Sequence, residues 1–422
     1  MPGRRLLVLT YHYPPDPSVG ARRWDAMAAW LRELGHDVTV LTTRAWGAEE
    51  GERSEIVRSA DLVAIRTLRA VLRRPALPAA GRPMPLQKPA PRLLADVVVP
   101  DAYLLSWGLG AVPVARRLIR ERAIECVVTS GPPHSCHVLG LMLGSRRPAW
   151  IADFRDGWRH EMLRAEWPTK LQDRLDERLE RSVVSTADGV VGVTRPIAED
   201  FAARLAAGSV HVPNGWDPRA EPGIAQAGRT SLDRGVVNIV HTGQLSGLRG
   251  RDPRSLFDAL DRLLSDRPGS GERIRIVLAG RLDVDERAML DRLGSGQHIV
   301  HVGHLDRFAT AALQREADAL LLLTSRGHPT QATGKLFEYL AAGRPIIALA
   351  EGNEAARIVT ETRTGIAVAP DDVEAIAGAL RAAVDGTLAR SYAPRGLERY
   401  VYPVPAIEFS EEIERVLAGR GQ

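Results

Sequence analysis

The chain has 422 residues, 45% hydrophobic and 26% charged. That balance excludes global disorder, collagen-like repeats and a long coiled coil, and the length suits two domains. Lys plus Arg (56) and Asp plus Glu (52) leave a net charge of only +4, with the basic residues scattered among acids, so no nucleic-acid partner is expected.

Only Lys88, Lys170 and Lys335 are lysines; nearly all other cations are arginines. Cys126 and Cys136 make neither a disulfide framework nor a CxxC metal site, which fits a reduced, cytoplasmic setting. No apolar run approaches the roughly 18 residues of a membrane span. The first apolar stretch, 6–11, is short and closed by prolines, unlike a signal-peptide core.

In chain order, a continuous apolar strand is predicted over 5–11. A Pro/Gly-rich loop follows at 13–20, then an amphipathic helix over 21–34 that Gly35 closes. Further strands are predicted at 37–43, 61–66, 124–130, 149–154, 189–194 and 210–214, with helices filling most gaps. Apolar runs without alternation are expected of strands covered on both faces.

Residues 69–100 break this rhythm with seven prolines and several arginines, and lead towards Tyr103, Leu104 and Trp107. Two readings stay open there: a long surface loop and helix, or an excursion that touches an acceptor or a membrane surface. Residues 217–234 read as a linker. A second series of strands follows at 236–243, 273–280, 298–304, 319–325, 345–350 and 365–369. A last helix, about 404–418, is expected to pack back onto the first domain. The alternation predicts an α/β fold of two doubly wound parallel-sheet domains, 1–216 and 235–400, facing a cleft. Ligands are expected outside the carboxyl ends of the strands.

Several motifs fail on inspection. ATGKL (332–336) is no Walker loop: six residues separate Gly327 from Gly334, and Leu336 stands where Ser or Thr would hold magnesium. Asp283 and Asp285 resemble a metal-binding pair but open a helix, where Asp is a common cap. His160-Glu161 lacks the second histidine of a zinc protease. No GxGxxG follows the first strand, which speaks against a nicotinamide enzyme.

The stretch 324–350 is the richest. A buried strand ends near Ser325, and a loop of Gly, Pro and small polar residues follows. A helix then starts near Gly334, capped by Thr333, and stops at Gly343 before Pro345. Its N-terminal amides suit a diphosphate, and Lys335 adds a point charge. Glu338, about one turn in, can accept hydrogen bonds from both hydroxyls of a ribose. The plainer reading is a helix with an acid in its first turns.

GKLFEYLAAGRPIIA (334–348) resembles the donor-site signature of glycosyltransferase family 4, and nearly the whole chain resembles GT-B glycosyltransferases of that type. The resemblance implies that Glu338 holds the ribose. HTGQLSGLRG (241–250) resembles the family's diphosphate clamp: Gly243 and Gly250 match, Gln244 replaces the first cation, Arg249 corresponds to the second, and Arg251 is a nearby substitute. HVGHL (301–305), with Gly303 and His304, resembles the loop that approaches the nucleobase. VPNGWD (212–217) resembles the end of the first domain. YPPDPSVGARRW (13–24), with Gly20 and Arg22, resembles the first loop, which faces donor phosphate and acceptor.

The family carries two glutamates eight residues apart, and Thr330 stands at the first position here, which puts the sugar in question more than the nucleotide. The family histidine near the reacting sugar has no clear counterpart. His134, Asp153, Arg155 and Asp156 all lie just past strand ends, with an ordinary loop histidine and an internal Arg–Asp pair as the plainer readings.

The resemblance implies transfer of a sugar from a nucleotide diphosphate, UDP or GDP foremost, to a hydroxyl acceptor. Retention of configuration, no metal and no other cofactor are implied with it. Lipid-linked glycans and small molecules are both acceptors in this family, with peripheral contact at the inner membrane face in the first case. The catalytic candidates are His134, Asp156 and Arg249. A nucleotide-sugar epimerase of the same fold and a silent nucleotide-binding scaffold are the alternatives.

Overall fold

The computed structural model describes residues 3–16, 18–48, 51, 53–61, 97–160, 166–220, 232–246, 251–266 and 273–420. It divides into two compact units, Met1–Asn214 with Tyr402–Gln422, and Gly215–Val401.

Unit 1 holds the strands β1 (Arg5–Thr10), β2 (Asp37–Thr43), β3 (Ile56–Ser59), β4 (Cys126–Gly131), β5 (Ala149–Phe154), β6 (Gly189–Gly192) and β7 (Ser209–His211). They form one parallel sheet in the order β3-β2-β1-β4-β5-β6-β7. The apolar run of β1 is explained by two-sided burial. Leu6 and Val8 enter one core with Trp24, Met27 and Phe409, while Leu7 and Leu9 enter the other with Trp107 and Trp150.

The helices of unit 1 are α1 (Val19–Glu33), α2 (Leu109–Glu121), α3 (Ser135–Met142), α4 (Lys170–Thr186) and α5 (Arg195–Leu205). The edge strand β3 escaped the sequence reading because only Ile56 and Val57 are apolar in it. The strand expected at 61–66 falls, from residue 62 on, outside the described residues, as do residues 69–96 of the Pro-rich segment.

Unit 2 holds β8 (Val237–Thr242), β9 (Ile274–Ala279), β10 (Ile299–Gly303), β11 (Ala319–Leu323), β12 (Ile346–Leu349) and β13 (Gly365–Val368). These form a second parallel sheet, β10-β9-β8-β11-β12-β13. Its helices include α6 (Arg254–Asp266), α7 (Val284–Leu290), α8 (Arg307–Glu316), α9 (Gly334–Ala342), α10 (Glu354–Glu361), α11 (Val373–Val384) and α12 (Thr387–Ser391).

The chain then returns to unit 1 as α13 (Val404–Arg420). That helix lays Phe409 edge-on to Trp24 at 5.3 Å, bonds Ser410 to His36 and pairs Glu414 with Arg4 at 2.6 Å. Part of the linker read at 217–234 is described: Pro218–Ala220 form one 3-10 turn, and 221–231 lie outside the described residues.

Each sheet reverses its strand order once, between β1 and β4 and between β8 and β11. Loops at such switch points leave a crevice at the carboxyl ends of the strands, the default ligand position in this architecture. Most of the described candidate residues lie at the carboxyl ends of these sheets.

Candidate functional site

In unit 2 the loops after β8, β9 and β10 all turn on glycine. Gly243 has φ +117° and Gly303 φ +79°, backbone regions that favour glycine. Gly243 donates to Ala279 O at 2.7 Å, and Gly280 donates to Gly303 O at 2.8 Å. A Cβ at Gly280 would lie 2.0 Å from Gly243 O, so the three loops are stacked too closely for any side chain there. The sequence offered a signal for Gly280 that went unread: each of these three strands runs into a glycine.

The start of α9 meets this stack, since a Cβ at Gly243 would lie 3.4 Å from Lys335 Cε. Lys335 donates to Glu338 Oε2 at 2.7 Å. Gln314, on α8, donates to Thr242 Oγ1 at 2.8 Å and reaches Glu338 Oε2 at 3.4 Å. Tyr339 OH accepts from Thr242 N at 3.0 Å and donates to Leu321 O at 3.3 Å, locking α9 to the switch between β8 and β11. Burial pushes its phenol up to about 12. Gly243, Gly303, Gly334, Lys335 and Glu338 are thus brought to one end of one sheet.

Two hydroxyls stand out there. Thr333 takes the backbone position of the N-cap but makes no side-chain cap bond, contrary to the sequence expectation. Its Oγ1 and that of Ser325 are buried and have no hydrogen-bond partner among the described residues. An orphaned buried hydroxyl costs stability unless a ligand completes it. Thr330 lies in the loop between them, which Gln331 secures by accepting from Ser325 N at 2.9 Å. Gly343 closes the helix with φ +67°, ahead of Pro345.

Gln244 and His304 are exposed, and Arg251 donates to Ser246 O at 3.3 Å. Arg249 and Gly250 lie outside the described residues. Asp283 is a helix cap, as read: it accepts from Glu286 N in a reciprocal capping box. Among the described residues no group of three or more His, Cys, Asp or Glu is placed to hold a metal ion.

His241 sits beneath this loop, 3% exposed, with Nδ1 2.9 Å from Leu321 O and Nε2 3.2 Å from Gln244 O. Burial pushes its pKa down to about 4. The unfolded chain, with an ordinary value near 6.5, therefore binds the extra proton between those two limits. The stability of the neutral form is complete above about pH 6.5 and is lost as pH falls towards 4, by about 3 kcal/mol in all. Urea midpoints at pH 7.5 and 4.5 test this: His241→Asn is expected to show a smaller fall than the parent chain, and an equal fall refutes the linkage.

In unit 1, Gly20, in the first turn of α1, packs against Arg155, where a Cβ would lie 1.7 Å from Nη1. Arg155 donates through Nε to Gly131 O at 3.2 Å and through Nη2 to Pro132 O, so it clasps the turn that carries His134. Burial lowers its pKa. His134 stacks flat on Trp158, with 4.6 Å between centroids and 8° between planes. Arg22 is exposed and Asp156 half-buried.

Asp153 takes the plainer of its two sequence readings, an internal Arg–Asp pair, and not the acceptor contact. It is wholly buried and accepts from Arg23 (2.8 Å), Trp24 Nε1 (2.9 Å) and Ser130 Oγ (2.8 Å), so it is an internal anchor rather than an acceptor contact. Its partner is Arg23, not the neighbouring Arg155. Sequence reasoning also passed over His12, whose Nδ1 donates to Asp16 at 2.5 Å, and His137, buried with Nδ1 3.0 Å from Thr129 Oγ1.

Two family models match the chain: the glycosyl transferase 4-like domain over residues 20–215 and glycosyl transferases group 1 over 236–385. No curated protein matches it by sequence. Among solved structures it is similar to a sucrose-phosphate synthase from Thermosynechococcus elongatus, at 16% identity and TM-score 0.64 over 99% of this chain and 100% of that one. It is also similar to an α,α-trehalose 6-phosphate synthase from Burkholderia multivorans, at 14% identity and TM-score 0.62 over 100% and 98%. A third, MnaA of S. aureus in complex with UDP, has 13% identity and TM-score 0.54 over 98% and 97%.

Proposed function

The chain belongs to the glycosyltransferase 4-like group of two-domain glycosyltransferases, and from that premise we propose that it moves a sugar from a nucleoside diphosphate to an acceptor hydroxyl with retention of configuration and without a bound metal. The observation that carries the donor assignment is the meeting of Gly243, Lys335 and Glu338 at the switch point of unit 2. There a helix N-terminus, a lysine and a carboxylate lie within one turn of each other. Ligand-bound MnaA adds that a neighbour of this fold takes UDP.

In the reaction the bond from the anomeric carbon to the diphosphate breaks and a bond to the acceptor oxygen forms, and the acceptor proton leaves with the diphosphate. The amides of α9 and Lys335 stabilise the charge that builds on the departing group. Glu338 holds the ribose, and the orphaned hydroxyls of Thr333 and Ser325 complete their hydrogen bonds on donor oxygens. UDP- and GDP-sugars are the first donors to test.

On the acceptor side, His134, Asp156, Gly20 and Arg22 line the carboxyl end of the unit 1 sheet. No described helix is long and apolar enough to cross a membrane. A lipid-linked acceptor is favoured by the outer face of α4, where Leu171 (77% exposed) and Leu175 stand beside exposed Lys170, Arg174 and Arg178.

The test is a thermal-shift panel of UDP, GDP, ADP and dTDP, followed by incubation with sugar nucleotides of the base that binds. A selective rise for one base, with free diphosphate released on turnover, supports the reading. A rearranged sugar nucleotide formed with no acceptor identifies an epimerase instead, and no response to any of the four sinks the donor site.

A further inference from the structure

We propose that Glu286 is a positioning residue for the donor diphosphate: its carboxyl group, shared between the start of α7 and Ser246, holds the stretch 244–246 after β8 in the shape that presents Gln244 and offers the Ser246 carbonyl to Arg251. The inference rests on the donor site proposed above and extends it to a residue outside the family motifs.

A capping box occupies only one oxygen of its glutamate. Here Oε2 does that work, accepting from Asp283 N at 2.8 Å. The other oxygen, Oε1, accepts twice from a residue forty positions earlier: from Ser246 N at 2.7 Å and from Ser246 Oγ at 2.5 Å. The side chain is nearly sealed, with Glu286 6% exposed, so water competes little for these bonds.

Ser246 passes the constraint on, because its carbonyl accepts from Arg251 Nη2 at 3.3 Å. On the other side of the loop, Leu245 is 1% exposed in the core, and His241 Nε2 lies 3.2 Å from Gln244 O. Gln244 is thus an exposed side chain on a strap fastened at both ends. Removing the carboxyl group of Glu286 releases the Ser246 end, and with it the carbonyl to which Arg251 donates. The helix cap alone needs none of this.

The experiment is calorimetric titration of the full chain with UDP, GDP, ADP and dTDP and with the matching monophosphates. Glu286→Ala is expected to lower affinity for the cognate diphosphate about tenfold while changing the monophosphate less than about twofold. Ser246→Ala, which leaves the α7 cap intact, is expected to do the same more weakly. Asp283→Ala, which breaks the cap but keeps the Glu286 carboxyl, is expected to change neither ligand.

A merely structural Glu286 would show equal losses for both ligands, matched by Asp283→Ala, and that result overturns the proposal. So does a Glu286→Ala or Ser246→Ala chain that binds diphosphate as the parent does. If the parent binds none of the four diphosphates, the donor site itself has failed. If the parent binds one and these variants do too, only the role of Glu286 has.

Discussion

Replacing Glu338 by alanine is expected to weaken binding of the cognate nucleoside diphosphate by about 10–100-fold while leaving the fold intact. The size follows from the two charge-assisted hydrogen bonds that a carboxylate makes to a ribose diol, each worth about 1.5–3 kcal/mol when desolvated, less the return of water to the emptied place. The selectivity follows from position. The Glu338 side chain is 24% exposed and its ion pair with Lys335 is partly open to solvent, so its loss costs the folded state about 1 kcal/mol or less.

Lys335 complicates the reading in a useful way. In the parent chain its ammonium is held 2.7 Å from Glu338, and in Glu338→Ala it turns wholly to the phosphates, offsetting part of the loss. Lys335→Ala should therefore act on diphosphates more than on monophosphates, and Glu338→Ala more on monophosphates, which gain less from the freed lysine. Titration calorimetry of the two variants with both ligand series checks this. Unchanged affinity in Glu338→Ala removes that residue from the site.

The proposed donor side could be read from the sequence because its parts lie close together in it. A single stretch from Ser325 to Gly343 supplies the strand end, the loop, the helix start, the lysine and the carboxylate, and local rules of capping and helix spacing place them. The contacts that set their orientation were not legible. Gln314 reaches Glu338 from 24 positions away and Glu286 reaches Ser246 across 40, and neither pairing leaves a mark on periodicity or propensity.

Unit 1 shows the same limit more sharply. His134 follows β4, and Arg155 and Asp156 follow β5, at the carboxyl edge of the sheet, whereas Asp153, expected past the strand end, is the next-to-last residue of β5 itself. Asp153 faces into the protein, because Arg23 on α1 and Ser130 at the end of β4 converge on it. Sequence position tells which end of a sheet a residue occupies. Which neighbour it bonds is decided by the packing of α1 across that end.

Asp153→Ala is accordingly expected to be the most destabilising single change in unit 1. Arg23 is 5% exposed and fully desolvated. Burial works against its charge, but Asp153 more than offsets this and holds its pKa above the ordinary value. Taking away one partner of such a pair leaves an uncompensated buried guanidinium and costs about 3–5 kcal/mol. The carbonyls of Val212 and Pro213 and the amide of Asn214 still accept from Arg23, but they carry no charge.

For a unit of this size that loss lowers the midpoint on the order of 10 °C. Scanning calorimetry should show it in the unit 1 transition, with nucleotide affinity in unit 2 unaltered. An unchanged midpoint would return Asp153 to the pool of acceptor contacts. Replacing both partners by apolar residues is not expected to restore the parent midpoint, although apolar replacement of a buried pair is often harmless. Trp24 Nε1 and Ser130 Oγ also donate to Asp153, and both would be left buried without an acceptor. Asp153→Asn should fall between Asp153→Ala and the parent: its amide oxygen still accepts, but its NH2 group faces donors, so at least one of the four bonds is lost.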